Sequence, residues 1–515
     1  MTTFAWRNPV EELVTRGDPL PPAARHGTET YYADLHAPRG ARHVRVCAGT
    51  GCLAASGGWH VTSVEQALGV RAGECSADST VSLQEVRCLG YCYAGPAALD
   101  GDHPCTGTDL ADQLTGKTPR VDPAVPVGSS GPRLLLREPP GRDAWRVWEE
   151  TVTRPDSAAA VRNEVSRARL RGRGGAGFPA AAKWTAVAAT GEPSFVVANG
   201  DEGDPGSFAD RLLMECDPAL VLEGLALAGL ACGATRGYVY VRSEYPRARA
   251  ALQTAVEEAY AAGHLGVDVH NSHVGFDVEL VSGHGSYVAG EETSLLRSIT
   301  GVRGTVHPRP PYPVQKGLFG RPTAVNNVET LAAVPGIVAE GGAVYARLGD
   351  PTETGTILVS MNERFARPGA YEVELGTPLR AIVDDLGGGL RDSARLVALQ
   401  VGGPLGGFLG PDQLDVPLLE SALSREGVSL GHGGIVAIDE RTSREQLLAH
   451  VWRFGAAESC GACTPCREGT RRGAGDPDAT TRDEAMLALM ERASLCAFGR
   501  RLPVAVRTLA AIRWD

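Results

Sequence analysis

Eight of the twelve cysteines in this 515-residue chain fall into patterns that can hold metal. Cys460, Cys463 and Cys466 form C-x2-C-x2-C, and Cys496 follows at a distance. Three thiolates in one turn with a remote fourth is the ligand pattern of a cubane 4Fe–4S cluster, and zinc rarely takes three ligands so tightly spaced. Nearer the N-terminus, Cys47 and Cys52 form C-x4-C and Cys88 and Cys92 form C-x3-C, each pair at the end of a strand-like run. These spacings are wider than the common zinc turns and lean toward a 2Fe–2S cluster, while four cysteines also suit a closed tetrahedral zinc site. In this N-terminal region Cys75 and Cys105 are left over and read as ordinary small apolar residues.

A second chemistry-bearing stretch runs Leu-Arg-Gly-Arg-Gly-Gly-Ala-Gly-Phe-Pro-Ala-Ala-Ala-Lys-Trp over residues 170–184. Gly172, Gly174, Gly175 and Gly177, with Arg173 among them, let a backbone approach a ligand without a Cβ in the way. Pro179 suits the start of a helix, whose free N–H groups, with Lys183 close by, make a phosphate site. Taken alone, the loop is as well explained as a structural turn. Gly172 to Gly177 also matches G-x-G-x-x-G, with Asp201 at a suitable distance. That fingerprint needs a strand before it, and residues 161–170 are charged and helix-like.

The scaffold that must position these groups is long enough to call for several domains. With 64 glycines and few aromatics the composition suits a loop-rich α/β protein. A net charge of −11, from 50 basic and 61 acidic residues, argues against general nucleic-acid binding. No apolar run reaches membrane-spanning length and the first residues lack a signal peptide's apolar core, so a soluble, cytoplasmic chain without membrane insertion is expected. Twelve cysteines in a reducing compartment favour metal ligation over disulfides.

Residues 1–40 contain Pro-Leu-Pro-Pro and carry no functional signal. Strand-like runs from Ala41 and Thr80 deliver the first two cysteine pairs. Residues 115–142 are rich in Pro, Gly and Ser and read as a linker. Strands at 195–198 and 237–242 alternate with helices at 217–229 and 244–263, which implies a sheet sandwiched by helices. Residues 353–440 change to a β-grasp-like set with a helix at 378–386 and no visible chemistry, a spacer. The last stretch, from about 441, reads as helical.

Three further segments decide what these pieces amount to: 199–211 (Asn-Gly-Asp-Glu-Gly-Asp-Pro-Gly-Ser-Phe-Ala-Asp-Arg), 283–293 (Gly-His-Gly-Ser-Tyr-Val-Ala-Gly-Glu-Glu-Thr) and 318–330 (Leu-Phe-Gly-Arg-Pro-Thr-Ala-Val-Asn-Asn-Val-Glu-Thr). With the glycine loop and the cysteines, they resemble the NADH-oxidising flavoprotein subunit of respiratory complex I and of NAD-linked formate dehydrogenases and hydrogenases. Residues 41–120 are similar to the thioredoxin-like 2Fe–2S domain of that family's small partner, here fused at the N-terminus.

The resemblance implies a multidomain α/β protein. A thioredoxin-like ferredoxin domain (41–120) follows the N-terminal segment (1–40). A linker (121–142) leads to an α/β FMN- and NADH-binding domain (143–350), a ubiquitin-like β-grasp (SLBB-type) domain (351–440) and a helical 4Fe–4S domain (441–515). It also implies the cofactors FMN, NAD(H), a 4Fe–4S cluster and a 2Fe–2S cluster.

By the same resemblance, Gly172, Arg173, Gly174, Gly175 and Lys183 hold the phosphate and ribityl side of the flavin, while Asn199, Asp201 and Glu202 face its chain and ring. Tyr287, Gly290, Glu291 and Glu292 line the flavin and the nicotinamide face, Glu292 on the catalytic side, and Asn326 and Asn327 complete the pocket. Phe178 and Tyr312 sandwich the adenine, and Arg309 takes the place of the family's lysine near the dinucleotide. Asp204 stands where the family often has Glu near the ribose, which leaves NAD against NADP open. Ala289 replaces a usual cysteine. His284 replaces a small residue and reads as a hydrogen-bonded structural histidine. The interval from Cys466 to Cys496 is shorter than in the family.

A flavin takes a hydride and releases single electrons, so a flavin beside iron–sulfur clusters is coherent. The expected function is an FMN-dependent NADH:acceptor oxidoreductase subunit. The fused N-terminal domain favours a soluble formate dehydrogenase or hydrogenase complex, with a catalytic chain and a small iron–sulfur subunit as partners. The competing readings are a complex I subunit and a non-enzymatic metal-stabilised redox sensor.

Overall fold

A computed structural model describes residues 21–136 and 144–514. Residues 1–20, the first half of the N-terminal segment, and the 137–142 end of the expected linker lie outside the described residues. Three sheets organise the chain.

The first sheet orders its strands Glu74–Cys75, Val81–Val86, Arg42–Cys47, Ala97–Asp100 and His103–Thr106. Arg42–Cys47 and Val81–Val86 run parallel, with Cys47 opposite Val86, so their carboxyl ends share one edge. Cys47 and Cys52 flank the turn into helix Thr50–Ser56, and Cys88 and Cys92 follow the other strand. The parallel pairing is what gathers two pairs far apart in sequence. Cys75 and Cys105 sit in the two edge strands instead.

The second sheet is all parallel, in the order Thr323–Asn327, Phe195–Gly200, Arg236–Val241, Asp277–Ser282. Its core helix, Pro218–Cys232, is buried along nearly its whole length and starts on the Asp217 carboxylate, which accepts from Leu220 N at 3.1 Å. Gly224 lets this helix close on its neighbour, since a Cβ there would sit 2.0 Å from the Leu331 carbonyl. Successive strands leave Phe195–Gly200 in opposite directions, and ligands bind outside the carboxyl ends at such a switch point. The glycine loop follows a helix, Ser157–Ala168, which removes the dinucleotide-fingerprint reading of Gly172–Gly177.

The third sheet is mixed: Phe408–Leu409, Leu396–Val401, Gly434–Asp439, Thr356–Met361, Gly369–Glu374 and Val127–Ser129. Its last strand corrects the linker expectation. Val127–Ser129 pairs parallel with Gly369–Glu374, and the backbone N–H groups of Leu134, Leu135 and Leu136 converge on the buried Glu372 carboxylate at 3.0–3.2 Å. A carboxylate that gathers N–H groups orders a segment that composition alone marks as loose. The expected helix at 378–386 is a π-helical turn, Ala381–Leu386. The C-terminal region is helical, from Arg444–Glu458 to Ala497–Ala511. Among the described residues no helix is long and apolar enough to cross a membrane.

Candidate functional site

The crevice at the carboxyl ends of the parallel sheet collects the candidate residues. Asn199 and Asn327 end adjacent strands in register. Asn199 donates to the Gly290 carbonyl at 2.8 Å and accepts from Asp201 N at 3.1 Å, so it ties its own strand end to the 3-10 turn Tyr287–Gly290. The glycine loop closes over them. Gly172 N donates to Phe178 O at 3.0 Å, and a Cβ on Gly174 would sit 3.0 Å from the Cβ of Asn327. Gly175 takes φ +89°, a conformation that side chains resist.

Three buried polar atoms here have no hydrogen-bond partner among the described residues: Asp201 Oδ2, Asn326 Nδ2 and Glu291 Oε1. Asp201 directly follows strand Phe195–Gly200, Asn326 lies in strand Thr323–Asn327, and Glu291 follows the 3-10 turn Tyr287–Gly290. Burial pushes the Asp201 carboxyl well above the usual range, against the pull of Arg242. Natural interiors leave few such atoms, and a bound polar group is one explanation for a cluster of them.

For two residues the side chain departs from the expectation. The Arg173 guanidinium turns into the protein, donating to Thr354 O at 2.9 Å and Tyr345 OH at 3.2 Å. Its backbone N–H is engaged as well, donating to Thr330 Oγ1 at 2.8 Å, so Arg173 braces the loop. The Glu202 carboxylate is consumed by Ser207 Oγ at 2.6 Å, Asp210 N at 3.2 Å and Arg211 N at 3.0 Å. It anchors the start of helix Ala209–Cys216. Asn327 likewise caps Val328–Ala332 through Thr330 N, and donates to Asp210 at 2.6 Å. His284 also differs: it is buried against the Tyr32 ring with Nε2 unpartnered, and burial pushes its pKa down to about 4.

Asp204 brings in a residue that sequence reasoning missed. Its Oδ1 accepts from Tyr287 OH at 2.5 Å, and its Oδ2 lies 2.8 Å from His432 Nδ1. Burial would lower the His432 pKa, but the Asp204 hydrogen bond and charge outweigh it and raise the value to about 9. His432 Nε2 stands 3.4 Å from where a Gly174 Cβ would be. The region expected to be a spacer therefore supplies a charged wall of the crevice. Its one sequence signal is a histidine set among glycines, Gly-His-Gly-Gly, at 431–434.

Across the crevice, Lys183 donates to Val325 O at 2.6 Å and stands 3.9 Å from Glu292, and burial lowers its pKa. Arg309 holds Glu292 at 2.7 Å and lies 3.7 Å from Glu291. Phe178 and Tyr312 are both about half exposed, at 54% and 51%, a state that leaves their ring faces open to a planar ligand.

Each cysteine quartet converges. Cys88 and Cys92 thiols are 4.0 Å apart, Cys52 interacts with both and with Cys47, and Cys47 interacts with Cys92. Hydrogen bonding to Cys92 outweighs burial, and Arg242 adds to it, pulling the Cys88 thiol down to about 7. At the other end, Cys460, Cys463, Cys466 and Cys496 interact mutually. Burial pushes Cys466 up to about 12 and Cys496 to about 11, so these thiols need bound metal to ionise. Tyr287 links this quartet to the crevice, because its ring packs on Phe454 and Phe498 at 5.1 and 5.6 Å.

Models of three known families match in the order these groups occur: Thioredoxin-like 2Fe-2S ferredoxin over residues 8–112, the Nuo51 FMN-binding domain over 165–336, and the NADH-ubiquinone oxidoreductase-F iron-sulfur binding region over 446–512. The NADP-reducing hydrogenase subunit HndC of Solidesulfovibrio fructosivorans is 39% identical over 67% of this chain and 72% of its own length. The F subunit of the NADH-quinone oxidoreductase of Escherichia coli is 39% identical over 60% of this chain and 69% of its own. The chain belongs to the F-subunit flavoprotein family. A solved NAD+-reducing NiFe-hydrogenase in the air-oxidised state contains a chain that superposes with a TM-score of 0.85 at 32% identity, over 98% of this chain and 88% of that one.

As an F-subunit flavoprotein the chain is an oxidoreductase subunit whose cofactors are FMN, NAD(H), a 2Fe–2S and a 4Fe–4S cluster. The residues present fit them. The unpartnered atoms of Asp201 and Asn326 offer hydrogen bonds of both senses, and glycine keeps the loop above them open. Among the described residues no three Cys, His, Asp or Glu side chains close tightly enough around one point to hold a single metal ion. Four thiols in each quartet are the ligand set of an iron–sulfur cluster, in the regions that match the two iron–sulfur family models.

Proposed function

We propose that this F-subunit flavoprotein is the NADH:acceptor oxidoreductase arm of a larger assembly, joined to a chain that oxidises formate or hydrogen and to a small iron–sulfur subunit. The observation that carries the reading is the pair of buried atoms without a hydrogen-bond partner on Asp201 and Asn326, with Glu291 Oε1 beside Arg309 at 3.7 Å. Their crevice is linked to one cysteine quartet through Tyr287 and to the other through Glu202 and Arg211. The fused N-terminal ferredoxin region and the hydrogenase neighbour support the choice of assembly.

When bound, FMN supplies the conversion between paired and single electrons that lets a hydride donor feed iron–sulfur clusters. The chain's own groups position the reactants. Gly172 and Arg173 brace the loop through Phe178 O and Thr330 Oγ1, and Gly174 and Gly175, with Lys183, hold the phosphate and ribityl end. Asn199, Asp201, Asn326 and Asn327 orient the flavin. Tyr287, Gly290, Glu291 and Glu292 line the face where the rings stack, and close stacking provides most of the rate. Phe178 and Tyr312 grip the adenine, while Arg309 exchanges Glu292 for a dinucleotide phosphate. Asp204 acts with His432 attached, which screens its carboxylate near the ribose. Cys460, Cys463, Cys466 and Cys496 hold the 4Fe–4S cluster, and Cys47, Cys52, Cys88 and Cys92 the 2Fe–2S cluster.

The test is anaerobic titration of the reconstituted full chain with NADH, followed by absorbance and EPR. Bleaching of the flavin with two distinct cluster signals is expected. A flavin-loaded protein that stays spectrally inert to NADH would overturn the reading. Co-purification followed by nickel, molybdenum and tungsten analysis identifies the partner.

A further inference from the structure

Resting on the flavin-and-cluster reading above, we infer that Arg211, which belongs to the FMN-binding region, is a second counter-charge, besides Arg242, that tunes the reduction potential of the N-terminal two-iron cluster. Its helix, Ala209–Cys216, is pinned to the crevice through Glu202, and its side chain runs the other way, under the ligand loop of the ferredoxin region. A Cβ on Gly90 would lie 2.7 Å from Arg211 Nε and 2.9 Å from its Cδ. Gly90 N donates to the Cys88 sulfur at 3.3 Å, so the same residue touches both the ligand and the guanidinium side chain. The guanidinium carbon sits 4.3 Å over the Tyr91 ring, beside the ligand Cys92, and Nη2 lies 3.4 Å from Tyr93 OH.

Arg211 is 2% exposed, and its Nε has no hydrogen-bond partner among the described residues. One carboxylate meets it, Glu215 at 2.9 Å, itself 17% exposed at the rim. A guanidinium keeps its proton, and a buried charge is costly unless an anion faces it. A four-cysteine two-iron site carries net negative charge and gains one more on reduction, and net charge and nearby donors are what tune such a potential. Arg211 supplies that compensation across the boundary between the two regions. Gly90, at φ +74°, is the residue that lets it come so close.

The experiment is an EPR-monitored redox titration of the anaerobically purified full chain. Glu215→Gln removes the competing carboxylate and raises the two-iron potential. Arg211→Gln lowers it. Each changes the oxidised-to-reduced ratio at a fixed solution potential by about tenfold, the scale of one charge in a protein interior. Arg211→Lys stays nearer to the parent, and the 4Fe–4S potential holds in every variant. An unmoved two-iron potential in Glu215→Gln, or shifts of the same sign in Glu215→Gln and Arg211→Gln, overturns the inference. Should Arg211→Gln fail to fold, Glu215→Gln decides alone. A parent chain with no two-iron signal overturns the reading of the cysteines and this inference with it, whereas an intact but unmoved signal overturns this inference only.

Discussion

The two cysteine quartets differ in what covers them. Cys47, Cys52, Cys88 and Cys92 are at most 3% exposed, sealed between their own sheet and the 202–211 segment of the flavin-binding region. In the C-terminal quartet Cys460, Cys466 and Cys496 are buried, but Cys463 is only partly covered and heads a helix whose Arg467, Arg471 and Arg472 are exposed. The contrast assigns different tasks. A redox centre near the surface can exchange electrons with another chain, and a sealed one exchanges chiefly with its neighbour inside. Both lie against the same crevice, so the polypeptide branches at that point.

The sharpest break of this comparison is to remove one centre at a time. Cys466→Ser should abolish the 4Fe–4S EPR signal and cut electron delivery to the partner chain by more than about 100-fold, a loss at or beyond the upper end for metal-site mutations. NADH-driven ferricyanide reduction, which the exposed side of the crevice serves, should survive. Cys88→Ser should erase only the two-iron signal and leave delivery to the partner largely intact, as steady-state rates with each acceptor will show. If Cys88→Ser stops delivery instead, the sealed centre is the exit.

Coverage itself is measurable in the metal-free chain. Cys463 should take up iodoacetamide well before any of the four N-terminal thiols, followed by peptide mass spectrometry. Gly90→Ala sharpens the same point energetically. The added methyl meets Arg211 and Tyr245 at 2.7 and 3.1 Å. It should destabilise the docked ferredoxin region by roughly 1–3 kcal/mol in thermal unfolding, the usual cost of overpacking.

The smallest effect concerns pH. His432 is held by Asp204 with its pKa raised from 6.5 to about 9. A folded-state pKa raised in this way contributes stability that is complete below the unfolded value and is lost as pH rises through the folded one. Melting temperature should therefore fall between about pH 6.5 and 9, and His432→Gln should flatten that limb. An unchanged slope in the variant would remove His432 from the crevice's charge balance.

Much of this was legible in the residues. The C-x2-C-x2-C run and the paired cysteines at strand ends pointed to the clusters, because ligation demands particular residues at particular spacings, while FMN and NAD(H) came from the resemblance carried by the three long segments around Asn199, Glu291 and Asn326. Side-chain allegiance was less readable. Arg173 and Glu202 occupy positions that resemblance gave to the flavin, yet one clamps Thr354 and the other caps a helix. Buried charges go wherever complementary groups converge, and that convergence is set in three dimensions.

Local chemistry, then, was written along the chain: which thiols can hold iron, where a phosphate can sit, and where strands alternate with helices. Two things came only with tertiary structure, both by long-range contact. His432 reaches Asp204 across 228 positions of sequence, and Arg211 reaches Tyr93 across 118. Periodicity and spacing describe neighbours along the backbone. Electrostatic partners such as these are chosen by the packing of one sheet's edge against another region, which no stretch of sequence contains by itself.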